Sequence, residues 1–425
     1  MKAVWEQTRS FSAPTRLLMA NQFAINLAFY MLMPYLAAHL AGPLGLAAWA
    51  VGLVLGVRNF SQQGMFLIGG TIADRFGYKA PIMAGCLLRT AGFGLLGWVD
   101  NLPALIAASA ATGFAGALFN PAVRAYLAAE AGDRRVDAFA TFNVYYQAGM
   151  FLGPLVGLAL LTADFQAVCT VAAAIFAVLT VLQWRALPDR RGASTDGAPE
   201  PAGSVFGQWR SVLANRPFLL FSGAMIGSYV LTFQVYLALP LAAADSLGAN
   251  ATKATSGLFV ISAAVAVAGQ LHLTSWAKSR WSPHQALAVG LSCMGLAFVP
   301  LALTPRDLPS LLLIALVSAV VLLAVGGAIV YPFEMDTVVA LCGNRLVATH
   351  YGLYNTVSGL GITLGNLATG ALWDFAQSHR MAWLTWGALV ATGFACAVSV
   401  TALARSGRLA PRVVQAVAGT ASRGR

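Results

Sequence analysis

The chain reads as long apolar runs broken by short polar interruptions. About 20 apolar residues in helical form span a bilayer core. Twelve runs of that kind lie near 16–40, 47–69, 80–99, 103–127, 138–162, 165–185, 217–241, 254–275, 284–304, 308–331, 347–371 and 381–404. The period-two alternation of a barrel strand is absent, and in lipid only helices or closed barrels satisfy the backbone. The pattern therefore predicts twelve transmembrane helices. The longest interruption separates the sixth and seventh runs and reads RALPDRRGASTDGAPEPAGSVFGQWRSVLANRP. Its Gly/Pro/Ser/Asp-rich middle has the composition of a flexible linker, followed by a short interfacial helix over 205–214. The expected organisation is a six-helix bundle over 1–185, a cytoplasmic linker over 186–216, a second six-helix bundle over 217–404 and a cytoplasmic tail over 405–425.

Composition narrows the class. Of 425 residues, 58% are hydrophobic and only 10% are charged, whereas soluble domains carry about a quarter charged residues. With a mean hydropathy of +0.72, this excludes a soluble enzyme, a disordered chain and a secreted disulfide scaffold. Cys86, Cys169, Cys293, Cys342 and Cys396 stand far apart with no CxxC or Cys/His cluster, so they are expected as packing residues without a metal or disulfide role. The first fifteen residues mix Lys2, Glu6, Arg9 and Pro14, unlike a signal peptide. No Ser/His/Asp constellation, HExxH, Walker loop or Rossmann fingerprint is present. The reading is thus not an enzyme and not a single-chain ATP pump, with no cofactor and no metal.

A formal net charge of +11 suggests nucleic acid until the charges are placed. Of 26 basic residues, 21 fall in the termini and even-numbered loops, Arg124, Arg134, Arg135, Lys278 and Arg345 among them. Lys253, Arg306 and Arg380 fall in odd-numbered loops, and Arg58 and Arg89 lie inside runs. Basic residues mark the cytoplasmic side, so both termini are expected to be cytoplasmic. The charge is topological, and no basic–aromatic interleaving points to nucleic acid.

The two halves carry an internal repeat. Asn143, Gly149 and Gly153 recur as Asn355, Gly361 and Gly365, 212 residues on, and Pro121 and Arg134 recur as Pro332 and Arg345, 211 residues on. Span number, loop and order all match, as parallel six-span repeats require.

The interruption after the second run reads GGTIADRFGYKAPIMAG. Gly70 permits close helix approach and Gly77 a tight turn. Asp74 is suited to accept hydrogen bonds from a neighbouring helix N-terminus or to pair with basic groups. Gly70, Asp74, Arg75, Gly77 and Lys79 have the spacing G-x-x-x-D-R-x-G-x-K/R, which resembles the signature of the major facilitator superfamily. The resemblance implies a gating latch between the halves. The corresponding stretch of the second half, TSWAKSRWSPHQ, is degenerate, with Lys278 roughly where Asp74 stands, so one good latch is expected and one poor one. In span five, QAGMFLGPLVGLAL places Gly149, Gly153 and Gly157 on one face for close packing, and Pro154 is expected to kink it. This stretch resembles the antiporter motif of facilitator drug exporters. Over 50–100, Arg58, the Gln62–Gln63–Gly64 run, the loop motif and Arg89 resemble the MdtH-like multidrug efflux branch. YPFEMDTVVALCGNRLVATHYGLYN is compatible with it. The resemblance implies an all-α membrane protein of two pseudo-symmetric six-helix halves. It further implies a monomer in the plasma membrane that exports amphipathic small molecules by alternating access, coupled to protons.

Charges inside the membrane are candidates for function. Arg58 precedes Gly70 by twelve residues, ~18 Å along a helix, and Arg89 follows Lys79 by ten, ~15 Å. Both are placed near mid-membrane, and Gln62 lies one turn from Arg58. Two readings stand: a polar cavity that orients substrate or responds to protonation, and arginines bonded to helix carbonyls within the N-terminal bundle. Every Asp and Glu is placed in a loop or at a span end, with Glu334 and Asp336 just past Pro332. Asp74, Glu334 and Asp336 are the candidates for proton coupling, with His272 and His350 weaker ones. Gln22, Asn26 and Tyr30 form a polar stripe on span one that faces a cavity or bonds between helices. The remaining cavity candidates are Asn143, Tyr146, Gln147, Gln234, Tyr331 and Asn355. Phe29, Phe119 and Trp373 either line a greasy pocket or belong to the core or lipid face. A second function class, a facilitator or carrier for a specific organic anion or metabolite, is favoured by two mid-membrane arginines without a carboxylate.

Overall fold

A computed structural model of the chain describes residues 2–189, 204–247, 250–304, 308–381 and 383–409. The middle of the expected linker, 190–203, and the tail from 410 onward lie outside the described residues. All regular structure among the described residues is helical. A short helix α1 (Lys2–Arg9) precedes the first half, which comprises α2 (Ala13–Ala41), α3 (Ala48–Gln63), α4 (Phe66–Phe76), α5 (Lys79–Trp98), α6 (Leu102–Ala131), α7 (Arg135–Leu161) and α8 (Phe165–Ala186). The expected interfacial helix is α9 (Val205–Leu213). The second half comprises α10 (Arg216–Phe233), α11 (Ala238–Leu247), α12 (Ala251–Arg280), α13 (Pro283–Leu296), α14 (Val299–Leu303), α15 (Pro309–Cys342), α16 (Val347–Ser378) and α17 (Trp383–Arg405). The pairs α3–α4, α10–α11 and α13–α14 are each one interrupted crossing, so the halves contribute six spans apiece.

The interruptions and ends have local causes. Pro240 and Pro300 carry no amide hydrogen to continue the ladder of α10 and α13. The chain tightens into a 3-10 turn at Gln234–Tyr236 in the first case and breaks after Leu296 in the second. Asn101, Asp164 and Asn215 accept from backbone amides at the starts of α6, α8 and α10, and Ser282 with Gln285 forms a capping box on α13. Each satisfies amides that a helix start leaves unpaired. Pro154 does not end α7, which continues to Leu161. Tyr35 Oη donates to the Pro154 carbonyl at 2.7 Å.

Several helices run beyond the spans expected from hydropathy. α4 continues to Phe76, so Gly70, Asp74 and Arg75 stand on a helix rather than in a loop, and only Gly77 makes the turn, at φ 85°. α6 continues to Ala131 and carries Arg124, which the loop count had placed outside. α15 continues to Cys342, so Glu334 and Asp336 are not past the end of span ten but within its helix. Glu334 stands eight residues before the helix end, ~12 Å along its axis. A count of about 20 residues is the minimum for crossing, and tilted helices exceed it.

The repeat is visible in the packing. In the first half Gly149, Gly153 and Gly157 of α7 face α2. A methyl on Gly157 would lie 2.1 Å from the Met31 carbonyl oxygen, and one on Gly153 2.7 Å from Tyr30 Cβ. In the second half Gly361 and Gly365 of α16 face Ile226 and Val230 of α10, where added methyls would lie 2.5 Å from each side chain. The repeated glycines thus make the same crossing twice.

Gly157→Val is expected to destabilise the protein by about 1–3 kcal/mol through overpacking against α2. Gly94→Ala, in α5 with open space around the site, should be neutral. Thermal unfolding of the two variants in detergent, compared with the parent, checks the contrast.

Candidate functional site

The halves are tied together at one end. α4 of the first half crosses α16 of the second with backbones in contact. A methyl on Gly70 would lie 2.1 Å from the Ala348 carbonyl oxygen, and one on Gly352 2.3 Å from that of Phe66. That approach places the Asp74 carboxylate on the first turn of α16. Asp74 Oδ1 accepts from the Ala348 amide at 3.1 Å, and Oδ2 accepts from the Thr349 amide and hydroxyl, each at 2.7 Å. An anion there satisfies unpaired amides and meets the positive end of the helix dipole.

The counterpart in the second half is built from different chemistry. Lys278 of α12 pairs with Asp137 in the first turn of α7 at 3.0 Å. A lysine cannot cap a helix N-terminus, because both are positive. Asp137 intervenes as the anion. The degenerate stretch is therefore a tie after all, with its charges inverted. A third tie, Arg135 to Asp336 at 2.6 Å, again joins α7 to the second half.

Beyond these ties a cavity of about 250 Å³ lies between the halves. Six of the residues picked out from sequence line it: Gln22, Asn143, Tyr146, Gln147, Tyr331 and Glu334. Asn26, Tyr30, Arg58, Gln62, Gln234 and Asn355 are not among its lining residues. Asn26 Nδ2 donates to the Gln22 carbonyl within α2, and Tyr30 bonds the Tyr146 hydroxyl at 3.4 Å, one step behind the wall. Gln234 is fully buried and donates to the Val230 carbonyl and to Asn366. Asn355 is buried in α16. The stripe on span one therefore divides, with Gln22 facing the cavity and the rest facing helices.

Glu334 is the buried carboxylate of this cavity. Its side chain is 3% exposed. Tyr354 Oη donates to Oε1, Tyr229 also hydrogen-bonds it, and Arg124 faces it. Arg124, from the first half, lines the same cavity and hydrogen-bonds Tyr331. Cation and anion thus come from opposite halves, bridged by tyrosines. Beside them Asn143 Nδ2 of α7 donates to Gln270 Oε1 of α12 at 2.8 Å, and Gln270 Nε2 donates to the Ala328 carbonyl at 2.7 Å. Asp74 and Asp336, the other two carboxylates singled out from sequence, stand in the end ties instead. His350 is buried beside Asn215 and Phe218, and His272 is exposed on α12.

Arg58 and Arg89 stand together, away from the cavity lining. Their guanidiniums lie 4.9 and 5.2 Å from the Phe29 ring centre, and Arg89 also lies 5.3 Å from that of Phe176. Aromatic faces attract such cations once they are desolvated. Phe29 thus carries two arginines, Phe119 is a core residue, and Trp373 packs against Trp386 at 5.7 Å.

Sequence reasoning missed Arg124, Tyr229, Gln270 and Tyr354. Arg124 was hidden because, near the end of the run over 103–127, it was counted with the loop charges. The tyrosines and Gln270 carry no pattern of their own, since only the fold brings them to Glu334 and Asn143.

A family model described as Major Facilitator Superfamily matches residues 18–366. The chain belongs to the major facilitator superfamily. It is thus an integral membrane transporter, from a family of transporters rather than enzymes. It is 53% identical over 400 residues to an uncharacterised MFS-type transporter of Mycobacterium tuberculosis, covering 93% of this chain and 94% of that one. It is 30% identical over 370 residues to the multidrug resistance protein MdtH of Yersinia pestis, covering 87% and 89%. The fold matches that of the fucose:proton symporter FucP of E. coli with a TM-score of 0.72 at 15% identity, over 91% of this chain and 98% of that one.

Replacing Asp74 with Ala removes all three bonds to α16. An N-cap of this kind contributes about 1 kcal/mol, so the ratio of closed to open forms at this end should fall roughly five-fold. Spin-label distances between α4 and α16 in the transporter and in Asp74→Ala measure it.

Proposed function

We propose that the transporter is a proton-coupled exporter of amphipathic small molecules, working by alternating access in the cell membrane with both termini cytoplasmic. The observation that carries the reading is Glu334: a single carboxylate buried in a cavity between the halves, opposite Arg124. A buried carboxylate is costly when charged and unpaired. Protonation frees Arg124 from its counter-charge, and ionisation restores the attraction between the halves. Proton binding is thereby linked to rocking, because the two charges ride on different bundles. Gln22, Tyr146, Gln147 and Tyr331 supply the polar part of a substrate surface, and Phe142, Phe233, Met294 and Leu323 the apolar part. Asp74, Asp137 and Asp336 act in gating rather than in carrying the proton. Likeness to the MdtH protein supports multidrug substrates, and the basic residues gathered at the end-tie side support a cytoplasmic placement of that end. Asp74 with Gly70, Arg75, Gly77 and Lys79 is assigned the latch, and Gly149, Gly153, Pro154 and Gly157 the close α2–α7 packing on which an antiporter would turn.

Arg124 favours a second reading, a carrier for a specific organic anion, in which the guanidinium meets the substrate carboxylate.

Reconstituted protein under a pH gradient should transport lipophilic cationic dyes. Glu334→Gln should lower gradient-driven transport at least ten-fold while dye binding to purified protein persists. No gradient-driven transport of any lipophilic dye or drug would overturn the reading. Organic-anion transport that is lost in Arg124→Gln would establish the second one in its place.

A further inference from the structure

The second half has a groove on its outer face, apart from the cavity between the halves. α13 and α17 cross at Gly295 and Gly393, where a methyl on Gly295 would lie 3.1 Å from the Gly393 Cα. Away from that crossing they part over α15 and leave a groove of about 1040 Å³. Ala288, Ser292, Ala397 and Ala402 form part of its shallow wall, and the exposed side chains of Leu296, Phe394 and Val398 form its rim. The polar groups along it are satisfied within the protein. Ser292 donates to the Ala288 carbonyl, Cys293 to that of Leu322 and Thr401 to that of Ala397. The wall therefore offers only apolar surface until its end, where Arg405 closes the last turn of α17. Arg405 makes no ion pair among the described residues, and exposed Arg408 follows three residues on.

We propose that this groove binds one anionic glycerophospholipid, with its acyl chains in the groove and its phosphate on Arg405. The length decides the occupant. From Gly393 to Arg405 is twelve residues, ~18 Å of helix, close to one leaflet of a hydrocarbon core ~30 Å thick. A helix from a second copy would continue past the Gly295–Gly393 crossing into the other leaflet, where the groove has closed. The charge decides the headgroup. Basic pockets between helices at the membrane surface select anionic lipids. A zwitterionic headgroup brings its own cation to compete with Arg405 for the phosphate, and a net anionic one does not.

Native mass spectrometry of the full chain, given equimolar phosphatidylglycerol and phosphatidylcholine with matched chains, tests this. The expected result is a first bound lipid that is phosphatidylglycerol by several-fold. That preference should fall to parity in Arg405→Gln and persist in Arg405→Lys. Ala402→Phe keeps the charge but fills an exposed position of the groove, and should lose the first bound lipid of either kind. Thermal melts confirm that each variant is folded. Equal retention of both lipids by the parent protein, an unchanged preference in Arg405→Gln, or a first lipid surviving Ala402→Phe would each overturn the proposal. So would a dimer that excludes lipid from this face.

Discussion

The structure depends on one carboxylate reaching across to a helix it does not belong to. Asp74 caps α16 only because Gly70 and Gly352 have no side chains to hold the two backbones apart. Close approach and capping are therefore one event. Without the glycines the carboxylate falls short, and without the carboxylate the first amides of α16 lose their acceptor. The ties through Asp137 and Asp336 add to the same closed end, but neither substitutes for an anion on those amides. The cavity exists because the halves are pinned at this end and hold apart beyond it.

The bilayer sets the second constraint. A span interior tolerates few charges, so each one present must be matched by a partner of suitable kind. Arg124 and Glu334 match each other across the halves through tyrosines. Arg58 and Arg89 make no ion pair among the described residues and instead share the face of Phe29, with Phe176 behind Arg89. The first solution depends on how the halves sit and the second lies wholly within one bundle. One set of charges therefore joins the two halves, and the other lies inside the first.

The spans and the two-half organisation were legible because lipid leaves few options: an apolar run of sufficient length has to be a helix. Asp74 was legible as a helix-capping group because its neighbours Gly70 and Gly77 disclose a close crossing and a turn. The cavity was half legible. Gln22, Asn143, Tyr146, Gln147 and Tyr331 stood out as polar residues in apolar surroundings. Asn26, Tyr30, Gln234 and Asn355 stood out for the same reason yet face other helices, since polarity alone does not give direction when all sides of a helix are apolar. Glu334 was seen but misplaced, because the tenth run was ended at 331, just before Pro332. In α15 the proline is absorbed and the helix continues for ten residues beyond it. Arg124 was obscured by its nearness to the end of its run, which put it among the loop charges.

The two pseudo-equivalent ties differ in how they respond to their surroundings. The Asp74 cap rests on two backbone amides and a hydroxyl of α16, at a crossing where Gly70 and Gly352 bring the backbones together. The Lys278–Asp137 pair is partly exposed, with 47% and 24% of the side-chain surfaces accessible. Such a pair contributes about 0–1 kcal/mol and is screened over a Debye length of roughly 8 Å at physiological ionic strength. The molecule thus has a hard seam along α4–α16 and a soft seam along α7–α12. Rising salt weakens the soft seam first, since its charges are the ones that dissolved ions screen. A duplicated architecture is thus held by unlike chemistry at equivalent places, because a lysine occupies the place where its twin has an aspartate.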